Sequence, residues 1–147
     1  MDHSTYAAEL FVGGYNCAQA VAVAFSDVTG LDAKTSAKLI SSFGGGMGRM
    51  REVCGAVSGM LFVAGILYGY DTPDDTAKKA HYARVQELAG NFREQVGSIV
   101  CRELLRDPPS DPNPTPRTAE FYKVRPCARF VVLAAQILDE YIDAHPL

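Results

Sequence analysis

The run Pro126-Cys127-Ala128-Arg129-Phe130-Val131-Val132-Leu133-Ala134-Ala135-Gln136-Ile137-Leu138-Asp139-Glu140-Tyr141 decides the fold class. Cys127, Phe130, Val131, Ala134, Ile137, Leu138 and Tyr141 recur at steps of three and four, so they share one face of a helix that begins near Pro126. The same grammar repeats upstream. A short helix over 6–11 is ended by Gly13-Gly14, and Asn16 is placed to cap a second through Cys17, Ala20, Val21, Ala24 and Phe25, with Gly30 as its stop. Asp32 caps a third over 33–42. Thr72-Pro73-Asp74-Asp75 is the clearest start signal: a Thr cap, Pro in the first helical position and acids against the dipole, opening a helix that runs to about Phe92. Ser98 caps a shorter one through Cys101 and Leu105. No stretch alternates as a strand, so the expected fold is all-α, a bundle of six or seven helices.

Residues 53–70 carry no formal charge, which reaches the length of a membrane span. Arg49, Arg51 and Glu52 precede the run and Asp71 follows it. As a lone run with small residues at Gly55, Ser58, Gly59 and Gly65, it reads instead as a buried central glycine-rich helix in close contact with its neighbours, and no membrane span is expected. Residues 107–116, with prolines at 108, 109, 112, 114 and 116, can be neither helix nor central strand. They read as an extended surface loop or, since they join the helices of Cys101 and Cys127, as a lid over a site those helices share.

At 147 residues, the chain is expected to form a single domain over 1–147. Its net charge of −3 and lack of any Lys/Arg block argue against a nucleic-acid surface. The N-terminal Met1-Asp2-His3-Ser4-Thr5 is not the basic start of an export signal, so a cytoplasmic location is expected, where ordinary thiols stay reduced.

Four cysteines in that setting point to a redox or metal site. Cys17 follows Gly13-Gly14-Tyr15-Asn16, Cys54 follows Gly44-Gly45-Gly46-Met47-Gly48, Cys101 follows Gly97-Ser98, and Cys127 follows Pro126. Most of these are helix starts, where free N–H groups and the positive end of the dipole favour thiolate. If the four meet in space, two chemistries are open. Two cysteines could cycle between dithiol and disulfide, as in a reductase or redox carrier acting with a partner protein or a small thiol or disulfide substrate. Alternatively, Cys17, Cys54, Cys101 and Cys127 could hold zinc or an iron–sulfur cluster that transfers electrons. Inert thiols in the core are the remaining alternative. The absence of any CxxC pair weakens the usual redox and ferredoxin templates alike.

The glycine block before Cys54 lacks the Gly-Lys-Ser/Thr ending and preceding strand of a phosphate loop, so it reads as backbone that turns tightly and approaches a neighbour closely. Arg49 and Arg51 near Cys54, Arg102 beside Cys101, and Arg125 and Arg129 around Cys127 could favour thiolates or simply pair with acids such as Glu52 and Glu103. His3, His81 and His145 are scattered without ligand spacing and read as solvent-facing.

Together, Gly14-Tyr15-Asn16-Cys17-Ala18-Gln19-Ala20-Val21, Phe43-Gly44-Gly45-Gly46-Met47-Gly48-Arg49, Cys54-Gly55-Ala56-Val57-Ser58-Gly59, Gly97-Ser98-Ile99-Val100-Cys101-Arg102-Glu103-Leu104 and the late Cys127 resemble the C_GCAxxG_C_C family of putative redox-active proteins. The resemblance spans nearly the whole chain. It implies a domain of about this size that is redox-active through the four cysteines, in a family often encoded near transporters or oxidoreductases. Some members carry an export signal typical of proteins that bind prosthetic groups. No particular reaction follows from it.

Overall fold

The computed structural model describes residues 2–147, and among them all regular structure is helical. The helices are α1 (His3–Val12), α2 (Cys17–Ala24), α3 (Ser26–Thr29), α4 (Ala33–Ile40), α5 (Gly44–Met47), α6 (Gly55–Tyr68), α7 (Asp75–Val96), α8 (Cys101–Leu104), α9 (Ala119–Val124) and α10 (Cys127–Ala144). The all-helical class is as expected, but the described residues form more helices than the six or seven anticipated from sequence. The additional elements α3, α5 and α9 are too short to leave a periodic signature, and α5 is interrupted by left-handed backbone at Gly45 and Gly46.

Capping residues set most boundaries. Asn16 and Gln19 form a reciprocal capping box at the start of α2, and the Asp32 side chain accepts from Thr35 N at 2.7 Å to open α4. Asp2 does the same for α1, which therefore begins earlier than its apolar pattern suggested. At α7 the cap is Asp74 rather than Thr72. The Asp74 carboxylate accepts from Thr76 N, leaving Pro73 outside the helix, and α7 runs on to a left-handed Gly97. Gly30, likewise left-handed, closes α3 rather than α2.

α6 packs against α2, α7 and α10, while α1 packs on α2 and α10. The core joins Phe11, Phe25, Met60, Leu88, Phe92, Phe130 and Leu138 from these helices. Gly59 brings α6 close to α2: a Cβ there would lie 2.6 Å from Ala18 O, a backbone atom that cannot swing aside. Burial of α6 is uneven, however. Gly55, Ala56, Val57, Gly59, Met60, Val63 and Ala64 are buried, whereas Ser58, Leu61 and Phe62 are half-buried and Ile66 is 40% exposed. No helix among the described residues is long and apolar enough to cross a membrane.

His3 differs from its expected solvent-facing role. Its ring stacks on Phe25 at 4.1 Å and bridges Asp139, 2.6 Å from Nδ1, and Asp27, 2.9 Å from Nε2. It ties α1 to α3 and α10 at the end of the bundle away from the cysteines.

Candidate functional site

Each cysteine opens a helix. Cys17, Cys101 and Cys127 are the first residues of α2, α8 and α10, and Cys54 immediately precedes α6. These starts meet at one end of the bundle, where all four side chains line one small cavity of about 30 Å³ together with Gly45, Arg51, Gly55 and Phe130. That is room for about two water molecules. All four cysteines are free thiols.

Two local devices bring the sulfurs together. The first is a short backbone splice that joins residues distant in sequence. Val53 and Val100 form an isolated antiparallel bridge, with Cys54 N donating to Ile99 O at 2.7 Å and Cys101 N to Glu52 O at 2.6 Å. Cys54 and Cys101 thus become neighbours despite lying on different helices. The second is the glycine segment. Gly46, at φ 71°, passes so close that a Cβ would lie 2.8 Å from Cys101 Cβ, and a Cβ on Gly55 would collide with Cys17 Sγ. The close-approach reading of the glycines is therefore met by the cysteines themselves.

The four thiols are not equivalent. Cys54 and Cys101 are each 6% exposed, whereas Cys17 and Cys127 are partly exposed. The latter two also line an open cleft of about 240 Å³, whose walls include Phe11, Asn16, Gly45, Thr115 and Phe121. Burial dominates the thiol chemistry. It raises the Cys17 pKa although N–H groups of Gly45 and Ala18 favour the thiolate, and the neighbouring Cys101 raises it further. Burial, then the nearby Cys17, pushes Cys54 well above the ordinary range. Cys127 is pushed up to about 12 by burial and by Cys17, against the opposing pull of Arg125. The expectation of an acidic thiol at a helix start thus fails for these three, because desolvation outweighs the dipole and the cations.

From the proline-rich residues 107–116, Pro114 and Thr115 line the cleft, and arginines of the glycine segment hold the rest of the loop beside it. Arg51 Nε donates to Pro109 O at 2.9 Å, Arg49 Nε to Asp111 O at 2.7 Å and Arg49 Nη1 to Thr115 Oγ1 at 2.8 Å. Arg51 also reaches the cavity, with Nη1 3.7 Å from Cys101 Sγ as a long charge-assisted contact. Of the arginines noted in the sequence, Arg49, Arg51 and Arg125 line the cleft. Arg102 instead pairs with Glu52, and Arg129 is exposed elsewhere. Arg117 was missed. It enters from beyond the proline run, donating to Phe11 O at 2.8 Å and Tyr15 O at 3.0 Å with its guanidinium 4.2 Å from the Phe11 ring. No local pattern marks it, since its partners lie about a hundred positions away.

Among the described residues, no group of three or more His, Cys, Asp or Glu side chains is arranged to hold a metal ion. The family model described as "Putative redox-active protein (C_GCAxxG_C_C)" matches residues 15–141, a span that includes all four cysteines. No curated protein and no solved structure matches the chain.

Proposed function

Since the chain belongs to the C_GCAxxG_C_C family, described as redox-active, we propose that it exchanges thiols and disulfides through Cys17 and Cys127. The carrying observation is the convergence of four sulfurs on one cavity from which only these two also open onto a cleft. Cys17 is the attacking thiol: burial raises its pKa, but the backbone N–H groups of Gly45 and Ala18 partly offset that rise, and Cys54, Cys101 and Cys127 all lie close enough to interact with it electrostatically. As thiolate, its sulfur attacks a substrate disulfide, forming a mixed disulfide and releasing one substrate thiolate. Cys127, once deprotonated, attacks the Cys17 sulfur, forming the internal disulfide and releasing the second thiolate. Two electrons pass to the substrate, and the two thiol protons end on its products. Cys54 and Cys101 remain behind this pair as buried free thiols.

The raised pKa values bear on direction. A couple becomes a strong oxidant when its reduced form is stabilised as thiolate, and burial here does the opposite. The couple should therefore lie toward the reducing end of the range of thiol proteins rather than near the value of about −120 mV of a strong oxidant. The test is oxygen-free purification with iron, sulfide and zinc counted per chain, followed by titration in a thiol redox buffer. Loss of two thiols at one reducing potential supports the proposal. Stoichiometric iron and sulfide, or zinc with thiols that never pair, would replace it with a four-cysteine metal centre.

A further inference from the structure

We infer that the cleft outside Cys17 and Cys127 is an anion subsite that selects small disulfides bearing carboxylates near the sulfur pair. The inference rests on the exchange reading for its chemistry, but its physical basis is separate. Four guanidinium groups, those of Arg49, Arg51, Arg117 and Arg125, line the cleft, and among the described residues no Asp or Glu does. The whole chain carries a net charge of −3, so this concentration of positive charge runs against its overall balance.

The cations are poorly compensated. Asp111 Oδ2 lies 3.9 Å from Arg49 and is the carboxylate paired with that residue; among the described residues Arg51, Arg117 and Arg125 pair with none. Arg117 is held by two carbonyls and by aromatic faces, which orient its charge without neutralising it. Arg51 is the strongest pointer. It is 5% exposed, and its Nη2 is buried with no hydrogen-bond partner. A buried charged donor left unpaired is costly, and an anion entering the cleft could relieve that cost.

The backbone holds these cations in place. Arg49 and Arg51 both adopt left-handed conformations, at φ 67° and 63°, which disfavour a residue bearing Cβ by about 1–2 kcal/mol each. Arg51 N donates to Gly45 O at 3.2 Å and Arg49 N to Gly44 O at 3.3 Å, so the strained turn is closed against the glycine segment. The turn directs two like charges into one space. A carboxylate there can accept paired N–H bonds from a guanidinium fork, and a sulfur a few bonds away would then reach Cys17.

The test compares three disulfides as oxidants of the reduced protein: glutathione disulfide, which carries carboxylates; neutral 2-hydroxyethyl disulfide; and cationic cystamine. Each rate is divided by that of a free dithiol with the same compound, removing intrinsic reactivity. Glutathione disulfide is expected to exceed cystamine by about tenfold or more, an advantage that shrinks with added salt. Arg125→Gln is expected to reduce it severalfold, since among the described residues the Arg125 side chain makes no hydrogen bond whose loss would disturb the loop and rests only against the Phe121 ring; Arg51→Lys is the second variant, with the same direction expected. Equal normalised rates would overturn the anion subsite while leaving thiol exchange intact. If none of the three removes two thiols, the exchange reading falls, and the cleft is then judged with S-methylglutathione, which has no disulfide. Salt-sensitive binding weakened by Arg125→Gln would uphold the anion subsite, and no binding at millimolar concentration would overturn it.

Discussion

The two ends of α6 contain the same kind of residue in opposite surroundings. At its first turns Gly55 lies against Cys17 Sγ and Gly59 against the α2 backbone, so neither position has room for a methyl group. Near the other end, a Cβ on Gly65 would meet nothing within 4 Å. The contrast extends to the surrounding structure. The cysteine end concentrates left-handed non-glycine residues, unpaired cations and buried thiols, whereas the other end is secured by aromatic packing of Tyr68, Tyr141 and His145 and by the His3 bridge. Strain and uncompensated charge lie where the proposed chemistry lies, and ordinary packing holds the remainder.

The largest expected effect probes the thiols. With a pKa of about 12, Cys127 should be alkylated at pH 7.5 roughly 10³-fold more slowly than a free thiol with its pKa near 8.5, the rate climbing tenfold per pH unit without a plateau below about pH 11. A plateau by pH 9, followed by mass spectrometry of the modified peptide, would mean that burial does not govern this end.

Next is the tight contact in α6. Gly59→Val would drive a branched side chain into Ala18 O and Val21, costing about 3 kcal/mol or preventing folding. In a thermal melt this is a drop of roughly 6–12 °C. An unchanged melting temperature would remove the claim that α2 and α6 are locked there.

His3 tests the other end through pH. Burial opposes its charge, but Asp27 and Asp139 outweigh burial and raise its pKa above 6.5. A raised folded pKa means that its contribution is fully present below about pH 6.5 and is lost as pH rises through the folded value. His3→Gln should therefore lower the melting temperature by about 2–4 °C at pH 6 and by little at pH 9, the exposed Asp27 partner keeping the effect modest. An equal loss at both pH values would reduce His3 to a packing residue.

The smallest effect has the opposite sign. Gly65→Ala adds a methyl group to open space within a helix and should stabilise by about 0.5–1 kcal/mol, read from the denaturant midpoint. Destabilisation there would break the contrast between the two ends of α6.

Local signals foretold the helices well. Asn16 with Gln19, Asp32 and the apolar face of α10 each specify their element through neighbours a few positions away. Thr72 lost the cap to Asp74 because a carboxylate directly before the helix competes for the same N–H groups. The helix-start placement of the cysteines was visible in sequence, but the contacts that gather those starts around one cavity were not. What remained hidden depends on distant contacts: the Val53–Val100 splice, the entry of Arg117 and the loop wall pinned by Arg49 and Arg51. The uneven burial of α6 was hidden for a related reason, since an uncharged run does not record which of its faces finds a neighbour.

The central claim is most directly tested by mapping cysteine pairs after equilibrating the protein in a thiol buffer at an oxidising poise. Digestion and mass spectrometry without reduction should recover the peptides of Cys17 and Cys127 joined to each other, with Cys54 and Cys101 retaining free thiols. Four free thiols at that poise, or a pair that excludes Cys17, would contradict it.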